Sequence, residues 1–167
     1  ESLASGEAAL TKEEREIGAA LIDLGGGTTD LAIFSEDNIK HTFVLSLGGN
    51  NLTNDIAVGV RASIASAEKI KIRHGTCLFQ GIKPDESIEI PGMGGRESRR
   101  LPRQILGEIL EPRVEEIFEL VKREIYRAGM ENSIVSGVVV TGGSALLEGV
   151  VDIAEMTFNL PVRLGKP

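Results

Sequence analysis

A glycine-rich turn between two apolar segments constrains the fold of this chain most strongly. Residues 23–30 read Asp-Leu-Gly-Gly-Gly-Thr-Thr-Asp, which places three glycines and two hydroxyls between two carboxylates. The apolar segments around it, residues 19–22 and 31–34, predict two buried strands that this turn would join as a hairpin. Glycine permits positive φ and lets backbone N–H groups approach an anion, and Thr28 and Thr29 would add hydroxyl donors. The sequence therefore predicts a phosphate-binding turn, with an ordinary glycine-rich hairpin as the alternative.

The two carboxylates of this turn have different predicted roles. Asp23 would repel a bare phosphate, so it is predicted to hold Mg²⁺ or a magnesium-bound water, because hard cations take oxygen ligands. Asp30 follows the threonines and enters the second strand, so it is interpreted as a brace of the turn that does not contact the metal.

Length, charge and cysteine content narrow the class of protein. A chain of 167 residues matches one domain or two small lobes. The formal charge of −7 disfavours nucleic acid as a bulk partner. The single cysteine, Cys77, excludes an internal disulfide and suits a reducing compartment, so the cytoplasm is expected. No apolar run reaches the roughly 20 residues of a membrane span, and the acidic N-terminus does not match a secretory signal.

Periodicity predicts three consecutive antiparallel strands followed by two helices. Residues 39–47 alternate apolar and polar side chains, which predicts a third strand paired with the second. A helix is predicted from Leu52, with its N-terminus facing the glycine turn and available for a second anion contact. Ser63 is predicted to cap a further helix, which would end at Gly75 in the left-handed conformation.

The second half of the chain contains a long helix and a second glycine turn. Residues 76–96 are rich in glycine and proline and predict one short strand. An apolar stripe predicts a helix over residues 105–128, kinked at Pro112.

A strand predicted over residues 137–140 leads into Thr141-Gly142-Gly143-Ser144 and a helix from Ala145. Such a turn alone is more often only a tight connection. Because α/β sheets keep their ligands at strand ends, the two glycine turns together predict one ligand site.

Four motifs in this order, DLGGGTTD, LGGN, SAEKIKIRHG and VVVTGGSALLEG, resemble the second half of actin-like ATPases. Within that superfamily the chain is similar to the FtsA family of bacterial division proteins, through LASGEAALTKEEREIGAALIDLGGGTTDLAIF, AEKIKIRHG and LGEILEPRVEEIF. The resemblance implies an α/β fold, with an actin-like, ribonuclease H-like mixed sheet, flanking helices and an inserted smaller α/β subdomain.

The resemblance also implies a division of the chain. Residues 11–47 and 133–167 would form the nucleotide-binding subdomain, and residues 48–132 the inserted one. Residues 1–10 would be a connecting helix from an N-terminal half of the protein. That half and a C-terminal membrane-targeting helix would both lie outside this sequence.

The nucleotide contacts are implied residue by residue, for ATP with Mg²⁺. Asp23 would lie beside the metal, and Glu68 and Lys71 near the ribose and adenine, although these two could instead form a solvated ion pair on one helix face. The remaining implied contacts are Gly25, Gly26, Gly27 and Thr28 at the β- and γ-phosphates, Gly48 and Gly49 near the phosphates, and Gly142, Gly143 and Ser144 on the adenosine side.

A cluster of arginines in an otherwise acidic chain predicts a carboxylate-bearing partner. The cluster consists of Arg96, Arg99, Arg100 and Arg103. The resemblance implies that the partner is the C-terminal tail of FtsZ, with Met93 and Leu101 as apolar anchors. A solvated loop is the alternative.

The implied function is that of an ATP-binding adaptor, which tethers FtsZ to the inner face of the cytoplasmic membrane at the division site. Self-association into actin-like filaments and contacts with other division proteins during septum assembly are also implied. At most weak ATPase activity is expected, and no catalysis by these residues alone. The alternatives are a kinase of the same superfamily that uses Asp23, a chaperone-like ATPase and a pilus-assembly adaptor.

Overall fold

The structure, a computed structural model, describes residues 2–166. Its strands, in chain order, are β1 (Ala19–Leu24), β2 (Thr29–Ser35), β3 (Asn38–Leu45), β4 (Ser87–Ile90), β5 (Arg99–Pro102), β6 (Val138–Thr141) and β7 (Val162–Leu164). Five of them form a mixed sheet in the order β3-β2-β1-β6-β7. The first three are antiparallel, whereas β6 and β7 run parallel to β1. The three predicted antiparallel strands and the mixed α/β sheet are thus confirmed.

The helices that connect the strands cover one face of the sheet more heavily than the other. They are α1 (Ser2–Ala9), α2 (Lys12–Ile17), α3 (Gly49–Val60), α4 (Ile64–His74), α5 (Gln104–Arg127) and α6 (Val150–Phe158), with short 3₁₀-helices at Glu131–Ser133 and Gly143–Leu146. The predicted cap at Ser63 is present, because its side chain accepts a hydrogen bond from the Ser66 N–H. Among residues 2–166, no helix combines the length and the apolar character needed to span a bilayer.

Alternation along β1 separates two packing layers. Ala20, Ile22 and Leu24 pack in one continuous core with buried side chains of α3, α5 and α6. Leu21 points to the other face and packs with Phe34 and the residues that end α1. Because side chains alternate with a period of two, Asp23 lies on this second, more thinly covered face.

A two-stranded hairpin, β4 and β5, lies outside the main sheet. Ile88 and Ile90 of β4 belong to the same core as the first turns of α5. Strand β5 was not predicted, because Leu101 is its only partly buried side chain and two arginines precede it. Pairing with β4, rather than any pattern of its own, makes it a strand. The division into residues 11–47 with 133–167 and 48–132 stays a prediction.

Two local predictions differ from the structure, and a third is not tested by it. The helix α5 is continuous through Pro112, which is exposed, while Leu110 and Val114 on either side of it are buried; the kink at Pro112 stays a prediction. Gly75 has φ of −56° and is not left-handed. The predicted helix from Ala145 begins as a 3₁₀ turn, and α6 starts five residues later, at Val150.

Candidate functional site

Two glycine turns meet beyond the ends of neighbouring parallel strands. β1 and β6 pair with Asp23 opposite Thr141, and each strand continues into its glycine turn. Gly142 has φ of +95°, and a Cβ atom at this position would lie 2.5 Å from the Leu24 carbonyl oxygen. Because no other residue can adopt that conformation at that distance, the second turn depends on glycine to touch the first.

An open cleft of ≈390 Å³ lies between these turns and helices α3 and α4, which is within the usual size range of ligand pockets. Among the residues that line it are seven of the predicted nucleotide contacts: Gly25, Gly26, Gly49, Glu68, Lys71, Gly143 and Ser144. The structure therefore brings together residues from all four sequence motifs. Gly27, Gly48 and Gly142 lie in the adjoining turns, and Thr28 lines a different cavity.

The first glycine turn does not use the predicted positive φ at any of its three glycines. Gly25 instead closes the turn, since its N–H donates to the Thr28 carbonyl oxygen at 3.0 Å. A Cβ at position 26 would lie nearest to the Asn50 side chain, at an ordinary contact distance of 3.5 Å, and a Cβ at position 27 would have no neighbour within 4 Å. Within residues 2–166 the N–H groups of Gly26 and Gly27 donate no hydrogen bond. The packing of the chain therefore does not require glycine at either position.

The N-terminus of α3 is closed by this same turn. The Gly49 and Asn50 N–H groups donate to the Gly25 and Gly26 carbonyl oxygens, at 2.8 and 2.7 Å. The prediction of a second anion contact at this helix end is wrong for these two groups, because they already have acceptors. A Cβ on Gly48 would lie 2.5 Å from the Gly25 oxygen, so Gly48 permits the close approach of the helix to the turn.

Lys71 connects α4 to the start of α3 and is buried. Its ammonium group donates to the Thr53 hydroxyl at 2.8 Å, to the Glu68 carboxylate at 3.0 Å and to the Gly49 carbonyl oxygen at 3.1 Å. Three acceptors use all three of its donors. Lys71 and Glu68 are thus part of a partly buried network, not a solvated ion pair, and Lys71 can offer a ligand only its aliphatic stem.

The Thr53 hydroxyl also donates a hydrogen bond to Glu68. This bond, followed in importance by those from Lys71, holds the pKa of Glu68 below its ordinary value despite partial burial. The Glu68 carboxylate therefore stays ionised at neutral pH at the edge of the cleft.

Apolar side chains at the cleft were missed by sequence reasoning. Ile72 and Leu146 line it and are 71% and 73% exposed, and Leu147 lines it beside them. One signal existed for Ile72, which is an apolar residue on the polar face of an amphipathic helix whose core face holds Ala67 and Ile70. Exposed apolar side chains beside a polar turn suit a ligand in which a planar aromatic ring is joined to a charged group.

A second open cavity, of ≈670 Å³, lies on the thinly covered sheet face and is lined in part by Asp23, Thr28 and Asp30. Asp23 and Asp30 are directly opposite each other on β1 and β2, where like charges repel. Thr29 does not contribute, because its hydroxyl is buried and donates to the Leu47 carbonyl oxygen at 2.8 Å.

Two carboxylates and a hydroxyl fit the hard oxygen ligands of Mg²⁺, which commonly keeps several waters and binds substrate phosphates. Within residues 2–166, no three carboxylate, imidazole or thiol groups are arranged to hold a metal without such help.

The four predicted partner arginines have different environments. Residues 91–100 are all exposed, and the Arg96 side chain makes no hydrogen bond within residues 2–166. Arg100 donates to the Ser87 hydroxyl at 2.9 Å, and Arg99 donates to the Val60 carbonyl oxygen at the end of α3. Arg103 is held by three acceptors below this surface, so the structure separates it from the other three.

Solved structures with the same fold are actin-like proteins. The chain superposes on MreB5 of Spiroplasma citri bound to ADP with a TM-score of 0.77 and 23% identity, over 98% of this chain and 53% of that one. The MamK double helical filament gives a TM-score of 0.71 and 15% identity, over 99% of this chain and 53% of that one. At sequence identities of 23% and 15%, these similarities establish only that the chain has the same fold.

Sequence relatives are more specific. The family model described as cell division protein FtsA matches residues 20–167. The chain is 47% identical to the FtsA of Pseudomonas aeruginosa and 41% identical to that of Escherichia coli K12, over 100% and 99% of its length. It spans 40% and 41% of those two relatives. The chain therefore belongs to the FtsA family of cell division proteins, within the actin-like fold.

Proposed function

We propose that the cleft between the two glycine turns binds ATP with magnesium, and that the full-length protein is an adaptor that tethers FtsZ to the cytoplasmic membrane. The nucleotide assignment depends on one observation: neither the packing nor the backbone conformation of the chain requires glycine at positions 26, 27 and 143. A Cβ at 27 or 143 would have no neighbour within 4 Å, and none of the three has positive φ. Glycine at such positions is explained by a ligand that approaches the backbone closely.

The two ends of the cleft suit the two ends of a nucleotide. The N–H groups of Gly26 and Gly27 are available to phosphate oxygens, as in other backbone anion sites. Ile72 and Leu146 would contact the adenine, with Glu68 near the ribose and the stem of Lys71 beside it. Gly142, Gly143 and Ser144 would follow the adenosine, and Gly48 and Gly49 would support the phosphate turn.

Magnesium would lie on the side of Asp23 and Thr28, with Asp30 as a brace behind them. The Asp23 carboxylate and the Thr28 hydroxyl are hard oxygen ligands of the kind that Mg²⁺ takes while it also binds phosphate and water. The ADP bound to the MreB5 relative of this fold supports a nucleotide as the ligand. We expect at most weak ATP hydrolysis.

The test is the affinity of full-length protein for ATP in the presence of magnesium, with Gly27→Ala and Gly143→Ala. Each added methyl group would contact no other residue of the chain, but it would occupy the position expected for the nucleotide. We therefore expect binding at least about tenfold weaker, as for a disrupted close contact. Thermal unfolding of each nucleotide-free variant is the control and should be unchanged. Unchanged affinity in both variants would contradict the assigned position of the nucleotide.

We further propose that the β4–β5 hairpin binds the C-terminal tail of FtsZ. The charged side chains that line an open cavity beside the hairpin are three arginines and one carboxylate: Arg61, Arg96, Arg99 and Glu97. Val58 and Met93, which are 72% and 46% exposed, line the same cavity. Cationic and apolar groups side by side suit an acidic peptide with apolar anchors, in which the apolar contacts supply most of the affinity and the arginines set orientation. Arg100 and Leu101 extend this surface, and Arg103 supports it from below.

Titration of a labelled FtsZ tail peptide into the full-length protein tests this surface. The charge reversal Arg96→Glu should weaken binding by about tenfold or more, as expected for a like-charge contact that costs more than 1 kcal/mol. Arg123→Glu is the matched control, because Arg123 is exposed on α5 and the change in net charge is identical. If both variants weakened peptide binding equally, the loss of affinity would come from the change in net charge alone, and the hairpin would be refuted as the binding site.

Membership of the FtsA family favours this adaptor over a sugar kinase, a chaperone-like ATPase or a pilus-assembly adaptor. We propose that the full-length protein also self-associates into actin-like filaments, meets other division proteins during septum assembly and reaches the membrane through a C-terminal helix. It would then act at the cytoplasmic face of the division site. Phosphorylation of a sugar by the full-length protein would argue for the kinase instead.

A further inference from the structure

Arg103 lies at the junction of three segments. It follows β5 directly and precedes α5. Its guanidinium donates through Nε to the His74 carbonyl oxygen at 3.0 Å, through Nη1 to Glu86 at 2.9 Å and through Nη2 to Glu148 at 2.8 Å. The two carboxylates, Glu148 first, raise the pKa of Arg103 above its usual value.

Two of these acceptors belong to opposite walls of the cleft. His74 is the last residue of α4, the helix that contributes Lys71 and Ile72 to the cleft. Glu148 follows Leu146 and Leu147, which line the other wall. Arg103 itself does not line the cleft, so it bonds both walls from behind.

The walls also touch at this corner through the backbone. The Cys77 N–H donates to the Glu148 carbonyl oxygen at 2.7 Å, and Thr76 forms an isolated parallel bridge with Glu148. A Cβ on Gly75 would lie 2.6 Å from a methyl group of Leu147. Contact at this corner fixes the distance between the walls, and Arg103 adds the side-chain bonds that orient one against the other.

We propose that Arg103 is a positioning residue of the cleft, which holds the end of α4 and residues 146–148 at the separation that the bound nucleotide needs. The inference rests on the proposed function, because it takes the cleft to be the nucleotide site. A planar guanidinium can direct separate N–H groups at fixed angles toward two acceptors, whereas an ammonium is a point charge without that geometry. Arg103→Lys should therefore keep the charge and lose the alignment.

The experiment compares the affinity of the full-length protein for ATP with magnesium across three variants. Arg103→Lys and Glu148→Gln should weaken binding about 3- to 10-fold, the size typical of coupling through a residue that does not touch the ligand. Glu86→Gln is the matched control, because it removes a carboxylate from the same guanidinium and Glu86 belongs to neither of the segments that form the cleft walls. It should leave the affinity within about twofold, below the range of such coupling.

Amide hydrogen exchange of the nucleotide-free protein supplies a second readout. Arg103→Lys should speed exchange in residues 72–77 and 143–148, and Glu86→Gln should not. Equal affinities and equal exchange in all variants of a nucleotide-binding wild type would overturn the inference. Equal weakening by Glu86→Gln and Glu148→Gln would overturn it too, because Arg103 would then act on the fold as a whole. A wild type that binds no nucleotide would refute the proposed function itself, and the positioning role with it.

Discussion

The glycines of the cleft and the glycines of the β4–β5 hairpin meet different physical demands. A Cβ on Gly48 or Gly142 would lie 2.5 Å from a backbone carbonyl oxygen of the first glycine turn. Gly94 and Gly95 have positive φ of +61° and +78°, but a Cβ on either would have no neighbour within 4 Å. At the base of the hairpin turn, a Cβ on Gly92 would lie 1.9 Å from a carbonyl oxygen of the same turn. The cleft is thus fixed by contacts between backbone segments that are distant in sequence, whereas the hairpin turn is closed by contacts within itself and its tip is fixed by local conformation.

The charged side chains of the two regions also differ, in how many hydrogen bonds they make within the protein. Lys71 beside the cleft has an acceptor for each of its three donors, whereas Arg96 in the hairpin is exposed and makes no side-chain hydrogen bond within the described chain. Recognition in the cleft would therefore depend on backbone shape, and recognition at the hairpin on charge that is already solvated. Salt should weaken the second much more than the first.

The largest expected effect is that of Gly48→Ala, which tests whether the cleft is fixed by contact. The new methyl group would meet the Gly25 and Gly26 oxygens at 2.5 and 2.8 Å, and neither backbone segment can move without breaking the bonds from α3. We expect a loss of about 3 kcal/mol in the free energy of unfolding, at the upper end of overpacking effects. Denaturant unfolding measures it.

Gly143→Ala is the control for this loss, since it lies in the same cleft but in open space. Its stability should stay within about 0.5 kcal/mol of the wild type. If Gly48→Ala were equally mild, the turn would yield to side chains, and the contrast between a fixed cleft and an open hairpin would fail.

A smaller effect is expected at a buried carboxylate outside the cleft, Glu124 of α5, for which the exposed Glu97 of the hairpin is the counterpart. Glu124 is buried and accepts hydrogen bonds from Arg127 at 2.6 and 2.8 Å and from His41 at 3.0 Å. Chiefly through Arg127, its pKa falls from 4.5 to about 2. Because the folded state favours the ionised form, Glu124 stabilises the fold above pH 4.5, and this contribution is lost as the pH falls from 4.5 toward 2.

Glu124→Gln should therefore lower the free energy of unfolding by about 2 kcal/mol at pH 7, as for a hydrogen bond to a charged group. It should also flatten the decline of stability between pH 4.5 and 2, measured by denaturant unfolding at a series of pH values. Glu97→Gln, in the exposed hairpin, should change neither quantity. An unchanged acid profile in Glu124→Gln would mean that other carboxylates dominate acid unfolding.

Sequence alone predicted the parts of the fold that have their own periodicity. The three antiparallel strands and the apolar stripe of α5 follow from alternation and helical spacing, and the helix cap at Ser63 follows from residue type. The third strand ends at Leu45, two residues before the predicted end at Leu47. Strand β5 was missed because its order comes from its partner β4, which no local pattern records. The same limit applies to the helical start at Gly49, where the glycine turn supplies the acceptors that begin the helix.

The candidate site was predicted in composition but not in physical detail. Residues from four motifs meet in one cleft, yet the glycines of the first turn do not have positive φ, and the N–H groups that open α3 are already bonded. Spacing cannot distinguish a glycine that admits a neighbouring backbone, such as Gly48, from one that faces open space, such as Gly27. Only the distances to other segments make that distinction. Arg103 shows the same limit, because its three acceptors come from segments 17, 29 and 45 residues away in sequence.

The smallest expected effect is that of Gly94→Ala, which probes the open side of the comparison. With φ at +61° and no neighbour within 4 Å, the added methyl group is strained only by the left-handed conformation, so we expect a loss of about 1 kcal/mol in the free energy of unfolding. Gly94→Asn should lose less, because asparagine tolerates this conformation better. A loss in Gly94→Ala as large as that of Gly48→Ala, with no recovery in Gly94→Asn, would mean that the tip of the hairpin turn is also held by contacts with other segments, as the cleft is. The arginines beside it would then belong to a fixed surface, and their recognition of a peptide would depend on shape as well as charge.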